Sequence, residues 1–195
     1  MSINIQQVQS FRARTGLPMM ACKKALEETD GDEEKALEIL RKRGETKAAD
    51  RAERSVKNGV IACYIHSNKK VAAVVKLLCE TDFVARNAEF QALAYEIAMH
   101  VTATNPQFIK PEEAPADFVA KEKEIALAQI KTEGKSADLA DKIVIGKLKK
   151  IVEERALLTQ PFIKDPTKTI GQLIQDLIAK IGENIQVGEI KRMEV

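Results

Sequence analysis

The sequence predicts an α+β protein, with a three-helix module followed by a core of packed helices and a small antiparallel sheet. Three observations lead there. Apolar residues between Ile5 and Gly44 recur at helical spacing with a stop signal after each run, the composition turns strand-like at Gly59, and Ile185 to Val195 alternates. At 195 residues the chain can bury a core without disulfides or metals. Its 45% apolar and 31% charged residues are an ordinary globular balance, and with no Trp and 4% aromatics the core should be aliphatic.

The first helix carries Ile5, Val8 and Phe11 on one face and is expected to stop at Gly16, which tolerates the positive φ of a helix C-terminus. Pro18 suits the start of a second helix, where a missing N–H costs nothing, and Met20, Lys23, Lys24 and Glu27 continue it to Thr29-Asp30-Gly31. Asp32 can cap a third, with Glu33 and Glu34 in its first turn and Arg41, Lys42 and Arg43 in its last, and Gly44 is expected to end it. Residues 41–57 set seven basic side chains against three acidic ones in a chain whose formal charge is only +2, which marks a solvated polar connector. The expected division is a three-helix domain over 1–50, a basic linker over 51–58 and an α+β core over 59–195.

Within that core, Val60 to Ile65 and Val71 to Cys79 are rich in β-formers and flank the turn His66-Ser67-Asn68-Lys69, a hairpin pattern. Asn87 can cap a helix bearing Phe90, Leu93, Ile97 and Val101, which Asn105-Pro106 stops. Pro111 and Pro115 frame a loop. Residues 117–133 and 137 to about 155 read as two exposed helices divided by Gly134, and Thr169 can cap a last helix that runs from Ile170 to Ile181 and ends at Gly182. The alternating run from Ile185 should join the hairpin.

Several classes of function lose their signatures. No apolar run approaches the roughly 20 residues of a membrane span. The N-terminal MSINIQQVQSFRAR lacks a secretory pattern, so a cytoplasmic location is expected. Neither a phosphate-cradling glycine loop nor a metal, thiol-redox or serine-hydrolase motif occurs, so the reading is not an enzyme, with no cofactor and no metal. His66 and His100 stand singly, the pairs Glu112-Glu113 and Glu153-Glu154 read as solvated, and Cys22, Cys63 and Cys79 as buried free thiols. The connector could neutralise RNA phosphates, but residues 41–57 contain no aromatic ring on which a base would stack, so no direct nucleic-acid binding is expected.

One segment, Glu80-Thr81-Asp82-Phe83-Val84-Ala85-Arg86-Asn87, sits where the second strand meets the long helix. Taken alone, these residues favour a structural part: Thr81 caps a turn, Asp82 supports its N–H groups and Phe83 folds back into the core. If Phe83 instead protrudes, it is an apolar anchor on a loop, the kind of residue that dominates an interface.

TDFVARN resembles the signature of the translation elongation factor Ts family, and FRARTGLPMMACKKALEETDGDEEKALEILRKRG is similar to that family's N-terminal module. EIAMHVTATNP, LLTQPFIKDPTKTIGQLI and GENIQVG also resemble family segments, in the family's order. The resemblance implies a guanine-nucleotide exchange factor that binds elongation factor Tu in its GDP-bound and nucleotide-free forms. It also implies a ubiquitin-associated-like N-domain. The residues matching the family's wedge, pushed between helices near the partner's Mg²⁺ site, are Asp82 and Phe83, framed by Thr81 and Val84. Those matching a separate N-domain contact are Leu17, Met19, Met20 and Lys23. The chain resembles the family's short, single-core form, and a homodimer in a 2:2 complex is expected. The alternatives are an RNA-binding translation accessory protein and an adaptor, since GDEEKALEIL resembles ubiquitin-associated domains generally.

Overall fold

The computed structural model describes residues 3–132 and 137–195. Its elements run α1 (Ile5–Thr15), α2 (Met19–Glu28), α3 (Glu33–Arg51), β1 (Asn58–Ile65), β2 (Val71–Cys79), α4 (Asp82–Ala85) and α5 (Ala88–Thr104). Then follow α6 (Ala116–Thr132), α7 (Ala137–Arg155), β3 (Pro161–Phe162), β4 (Asp165–Thr169), α8 (Ile170–Ile181) and β5 (Ile185–Glu194). One sheet has the order β1-β2-β5, and β3 pairs antiparallel with β4 in a separate ribbon. The chain is therefore α+β.

Two compact units divide it. The first holds Met1–Ile61, Lys76–Ala94 and Leu173–Gly188, and the second holds Ala62–Val75, Tyr95–Gln172 and Glu189–Val195.

In the first unit the signals at Gly16, Pro18 and Asp32 fall at helix boundaries, and Asn4, which the sequence reading did not single out, adds a cap. Asn4 caps α1 through the Gln6 N–H, and Gly16 ends it at φ 69°. The Pro18 carbonyl accepts the Ala21 and Cys22 N–H groups at 3.0 and 3.1 Å, and Asp32 Oδ1 accepts those of Glu34 and Lys35, each at 3.1 Å. Val8, Phe11, Cys22, Ala25, Leu26, Ala36 and Leu40 form one buried cluster, so the three helices share a core of their own.

Gly44 does not stop α3, which continues to Arg51. It keeps ordinary helical φ and is buried against α8, where an added Cβ would lie 3.4 Å from the Ala179 Cβ. The glycine serves close helix approach rather than termination, and Ala48 beyond it is buried too. Nor is the connector simply solvated. The Arg43 guanidinium meets Glu28 at 2.5 Å, Arg51 Nη1 donates to the Ile178 carbonyl at 3.2 Å, and Arg54 lies 3.6 Å from Glu80.

The hairpin forms where expected, with His66 donating to the Val71 carbonyl at 2.9 Å. At its other edge, β2 has β5 beside it, and the Val195 N–H donates to the Lys70 carbonyl at 3.0 Å, so β5 runs antiparallel. Cys22 and Cys79 are buried, but Cys63 is exposed, contrary to expectation. It falls on the outward half of β1, an edge strand whose alternate residues are half-buried and exposed. The β3–β4 ribbon was not anticipated, because Pro161 and Pro166 argue locally against strands.

In the second unit α6 and α7 pack through Ala126 and Val144, with Leu127, Ile143 and Leu148 around them. Gly134, expected to divide them, lies outside the described residues. Four phenylalanines, Phe11, Phe90, Phe108 and Phe162, join the largely aliphatic interior of the two units.

His100 on α5 is fully buried. Gln160 Nε2 donates to the Glu154 carbonyl at 2.8 Å, which orients the amide oxygen toward His100 Nε2 at 3.0 Å, so that nitrogen carries the proton. Among the described residues His100 Nδ1 has no partner. A neutral ring leaves only a lone pair unmet, whereas protonation would bury a charge and an unpaired donor. Burial accordingly lowers the pKa from 6.5, against the opposing Gln160 bond. The unfolded chain then takes up a proton on acidification before the folded chain does. The stability due to this histidine is complete above 6.5 and is lost as pH falls toward the lower folded pKa. Denaturant titrations at neutral pH and near pH 5 should show that loss, and His100→Gln should flatten the slope; an unchanged slope would contradict the assignment.

Candidate functional site

The β2–α4 junction is built around Thr81, whose extended backbone (φ −121°, ψ 159°) caps α4. Its hydroxyl donates to Glu183 Oε1 at 2.6 Å and accepts the Val84 N–H at 3.4 Å, and its own N–H donates to Glu183 Oε2 at 3.0 Å. The Thr81 carbonyl accepts the Cys79 thiol at 3.1 Å and the Ala85 N–H at 3.2 Å. Every polar group of this residue is thus engaged. Burial, and then the charge of Glu183, push the Cys79 thiol pKa up, which keeps its proton available for that bond.

From this fixed point α4 turns Val84 and Ala85 inward and leaves Asp82 and Phe83 outside. Asn87 follows at once and caps α5 through the Glu89 and Phe90 N–H groups at 2.8 and 3.3 Å. The Gln91 amide donates to the Ala85 carbonyl at 3.2 Å and ties the two helices together. Phe83 is 82% exposed. The sequence expectation that it folds into the core is therefore wrong: a four-residue helix between two anchored caps has one inward face, and Val84 and Ala85 occupy it. Asp82 pairs with Arg86 at 3.1 Å, both side chains lying largely in solvent, so the pair is readily exchanged for another partner.

Met19 and Met20 are exposed on α2, Met20 at 72%, and Lys23 lies one turn on, 3.7 Å from Glu27. Leu17 differs from these three. It packs against the module's core, in a turn held by the Leu17 N–H donating to Thr15 Oγ1 at 3.4 Å. The structure thus groups Thr81, Asp82, Phe83 and Val84 at one junction, and Met19, Met20 and Lys23 along one face of another helix.

Sequence reasoning did not reach Glu183 and Asn184, which hold the junction from the α8–β5 connection. Asn184 N–H donates to Glu80 Oε1 at 2.6 Å, while its side-chain amide donates to the Arg54 carbonyl at 2.8 Å. The segment GEN carries no local sign of this, because its partners are about a hundred residues away.

Three of the four paired glutamates have partners among the described residues. Glu113 accepts the Ile109 and Lys110 N–H groups at 3.1 and 3.4 Å, and Glu153 and Glu154 lie 3.8 Å from Lys149 and Lys150. Among the described residues no group of three His, Cys, Asp or Glu side chains could hold a metal ion, and no helix is long and apolar enough to cross a membrane.

An anchored junction that turns a phenylalanine outward, in the unit that also carries an exposed methionine face, is a surface suited to docking on another macromolecule. Residues 18–177 match the sequence model of the family described as Elongation factor TS. The chain is 49% identical to the elongation factor Ts of Fervidobacterium nodosum over 100% of its own length and 99% of that protein. It is 50% identical to that of Thermosipho melanesiensis, over 99% of this chain and 98% of the other, and 50% identical to that of Solidesulfovibrio magneticus, over 98% and 96%. The chain belongs to the elongation factor Ts family.

Because Phe83 touches little of its own chain, Phe83→Ala should change the unfolding free energy by less than about 0.5 kcal/mol. Val84→Ala, which empties a buried site, should cost about 2 kcal/mol. Denaturant titration of both variants checks the contrast, and equal losses would contradict the outward placement of Phe83.

Proposed function

We propose that the β2–α4 junction is the element through which this exchange factor acts, with Asp82 and Phe83 entering the GTPase partner as a wedge and Thr81 and Val84 as its base. Members of the elongation factor Ts family promote nucleotide exchange on elongation factor Tu, and that role comes to this chain with its membership. The observation that carries the wedge reading is the 82% exposure of Phe83 on an anchored helix. A large apolar side chain held in water has gained nothing from folding, so its burial remains available to a complex.

GDP is held largely through its phosphates and a bound Mg²⁺ that offsets their charge. Burying Phe83 between partner helices is worth about 2 kcal/mol, and the Asp82 carboxylate, released from Arg86, disturbs the groups that orient the ion. No covalent bond changes. By linkage, a factor that weakens GDP binding is itself bound more weakly when GDP is present, so incoming nucleotide releases it. The ubiquitin-associated-like module over 1–50 supplies a second, independent contact through Met19, Met20 and Lys23, with Leu17 bracing them; residues 51–58 link it to the core over 59–195.

The same reading gives a cytoplasmic homodimer that carries two partner molecules in a 2:2 complex. What supports it is β1, an edge strand whose outer row includes Ile61, 73% exposed, and Ile65, 62% exposed. Exposed isoleucines on an unpaired edge invite a second copy. An RNA-binding role has less to stand on, since Arg43, Arg51 and Arg54 are engaged within the chain. No observation favours an adaptor.

Release of labelled GDP from elongation factor Tu tests the wedge. The parent should accelerate it, and Phe83→Ala should lose about 30-fold of that acceleration, the equivalent of 2 kcal/mol. A folded Phe83→Ala that exchanges like the parent would remove the wedge assignment. Sedimentation at micromolar concentration should give a dimer that Ile61→Asp and Ile65→Asp dissociate; a monomeric parent would refute the 2:2 complex.

A further inference from the structure

We infer that Glu183 is a positioning residue for exchange: its carboxylate fixes the direction in which Asp82 and Phe83 leave the chain before any partner is met. This rests on the wedge reading above and adds to it the group that holds the wedge.

Both oxygens of Glu183 are used on one residue. Oε2 accepts the Thr81 N–H at 3.0 Å and Oε1 accepts the Thr81 hydroxyl at 2.6 Å, so the carboxylate fixes the distance of Thr81 and its rotation as well. Glu183 itself has little freedom. It lies in the short connection between α8 and β5, after Gly182, which leaves the helix at φ 90°. The neighbouring residues return the contact, with Glu80 Oε1 accepting the Asn184 N–H at 2.6 Å. Each connection therefore lends a glutamate to the backbone of the other. Asn58 Nδ2 closes the arrangement by donating to the Glu80 carbonyl at 2.8 Å.

A four-residue helix cannot hold itself, because nucleation fixes several residues for very few internal bonds. If Thr81 were free, α4 and Phe83 would sample many orientations, and that freedom would have to be given up in the transition state for GDP release. Glu183 removes it in advance. A residue acting this way should alter the maximal rate of exchange, whereas initial docking through α2 should be little affected.

The test measures GDP release from elongation factor Tu at rising factor concentration, reading the plateau rate and the half-saturating concentration separately. Glu183→Ala should lower the plateau about 10-fold while moving half-saturation less than about threefold. Glu183→Gln, whose amide oxygen can still accept the Thr81 N–H, should recover most of the plateau. Thr81→Val keeps its N–H bond to Glu183 but loses the hydroxyl's bonds to Glu183 and to the Val84 N–H, so it should lower the plateau as well, and the double variant should lose less than the two single losses combined, as expected for residues that share a contact. Circular dichroism and thermal unfolding identify folded variants, and Thr81→Val decides the matter if Glu183→Ala does not fold. A folded Glu183→Ala with the parent's plateau, alongside a Phe83→Ala that has lost it, overturns the inference. If Phe83→Ala also keeps the plateau, the wedge reading fails and this inference falls with it.

Discussion

Two hydrogen bonds from Thr81 to one carboxylate, at 3.0 and 2.6 Å, hold the part of the molecule that faces outward. Around them, the hydroxyl caps α4, the Cys79 thiol and the Ala85 N–H share the carbonyl, and Val84 and Ala85 fill the space beneath. With both ends of α4 anchored and its inner face occupied, Phe83 has no inward direction left. Its exposure follows from the surrounding constraints rather than from any preference of phenylalanine for water, and the same constraints keep it in one place.

The first unit applies similar economy to its charges. The excess of positive charge in residues 41–57 looks in isolation like a surface for anions, yet Arg43, Arg51 and Arg54 find acceptors within the chain. Arg51 meets the Ile178 carbonyl near the C-terminus of α8, where a cation is favoured by the helix dipole. Gly44 belongs to the same arrangement, since its missing side chain lets α3 run close beside Ala179. The buried imidazole of His100 in the second unit is the converse case, a titratable group whose pKa burial lowers and whose Nδ1 has no partner among the described residues.

On the proposed wedge reading these features divide the work. Met19, Met20 and Lys23 are carried by a helix whose inner face belongs to a closed three-helix cluster, which suits docking. Phe83 is carried by a junction pinned from a distant connection, which suits the application of a directed displacement. Docking energy common to every nucleotide state would leave GDP affinity unchanged; only an interaction that differs between the states shifts it.

Much of this was legible in the sequence because helix signals are local. Asp32, Asn87 and Thr169 act within three residues of themselves, and apolar spacing marks the buried faces of α5 and α8, so element order and the α+β class could be read directly. The family, too, could be read from segments in their order. Gly44, Cys63 and Phe83 were misjudged for a common reason. A glycine may end a helix or admit a neighbour, and an apolar residue may lie inside or outside, and the choice depends on what stands opposite. Ala179 decides the first, the edge position of β1 the second, and Glu183 with Val84 and Ala85 the third. By itself the sequence determined which segments become helices and strands and which family they compose, because those properties reside in neighbouring residues. Only the tertiary structure decided that Thr81 is clamped and Phe83 turned outward, because the carboxylate responsible is a hundred residues away along the chain.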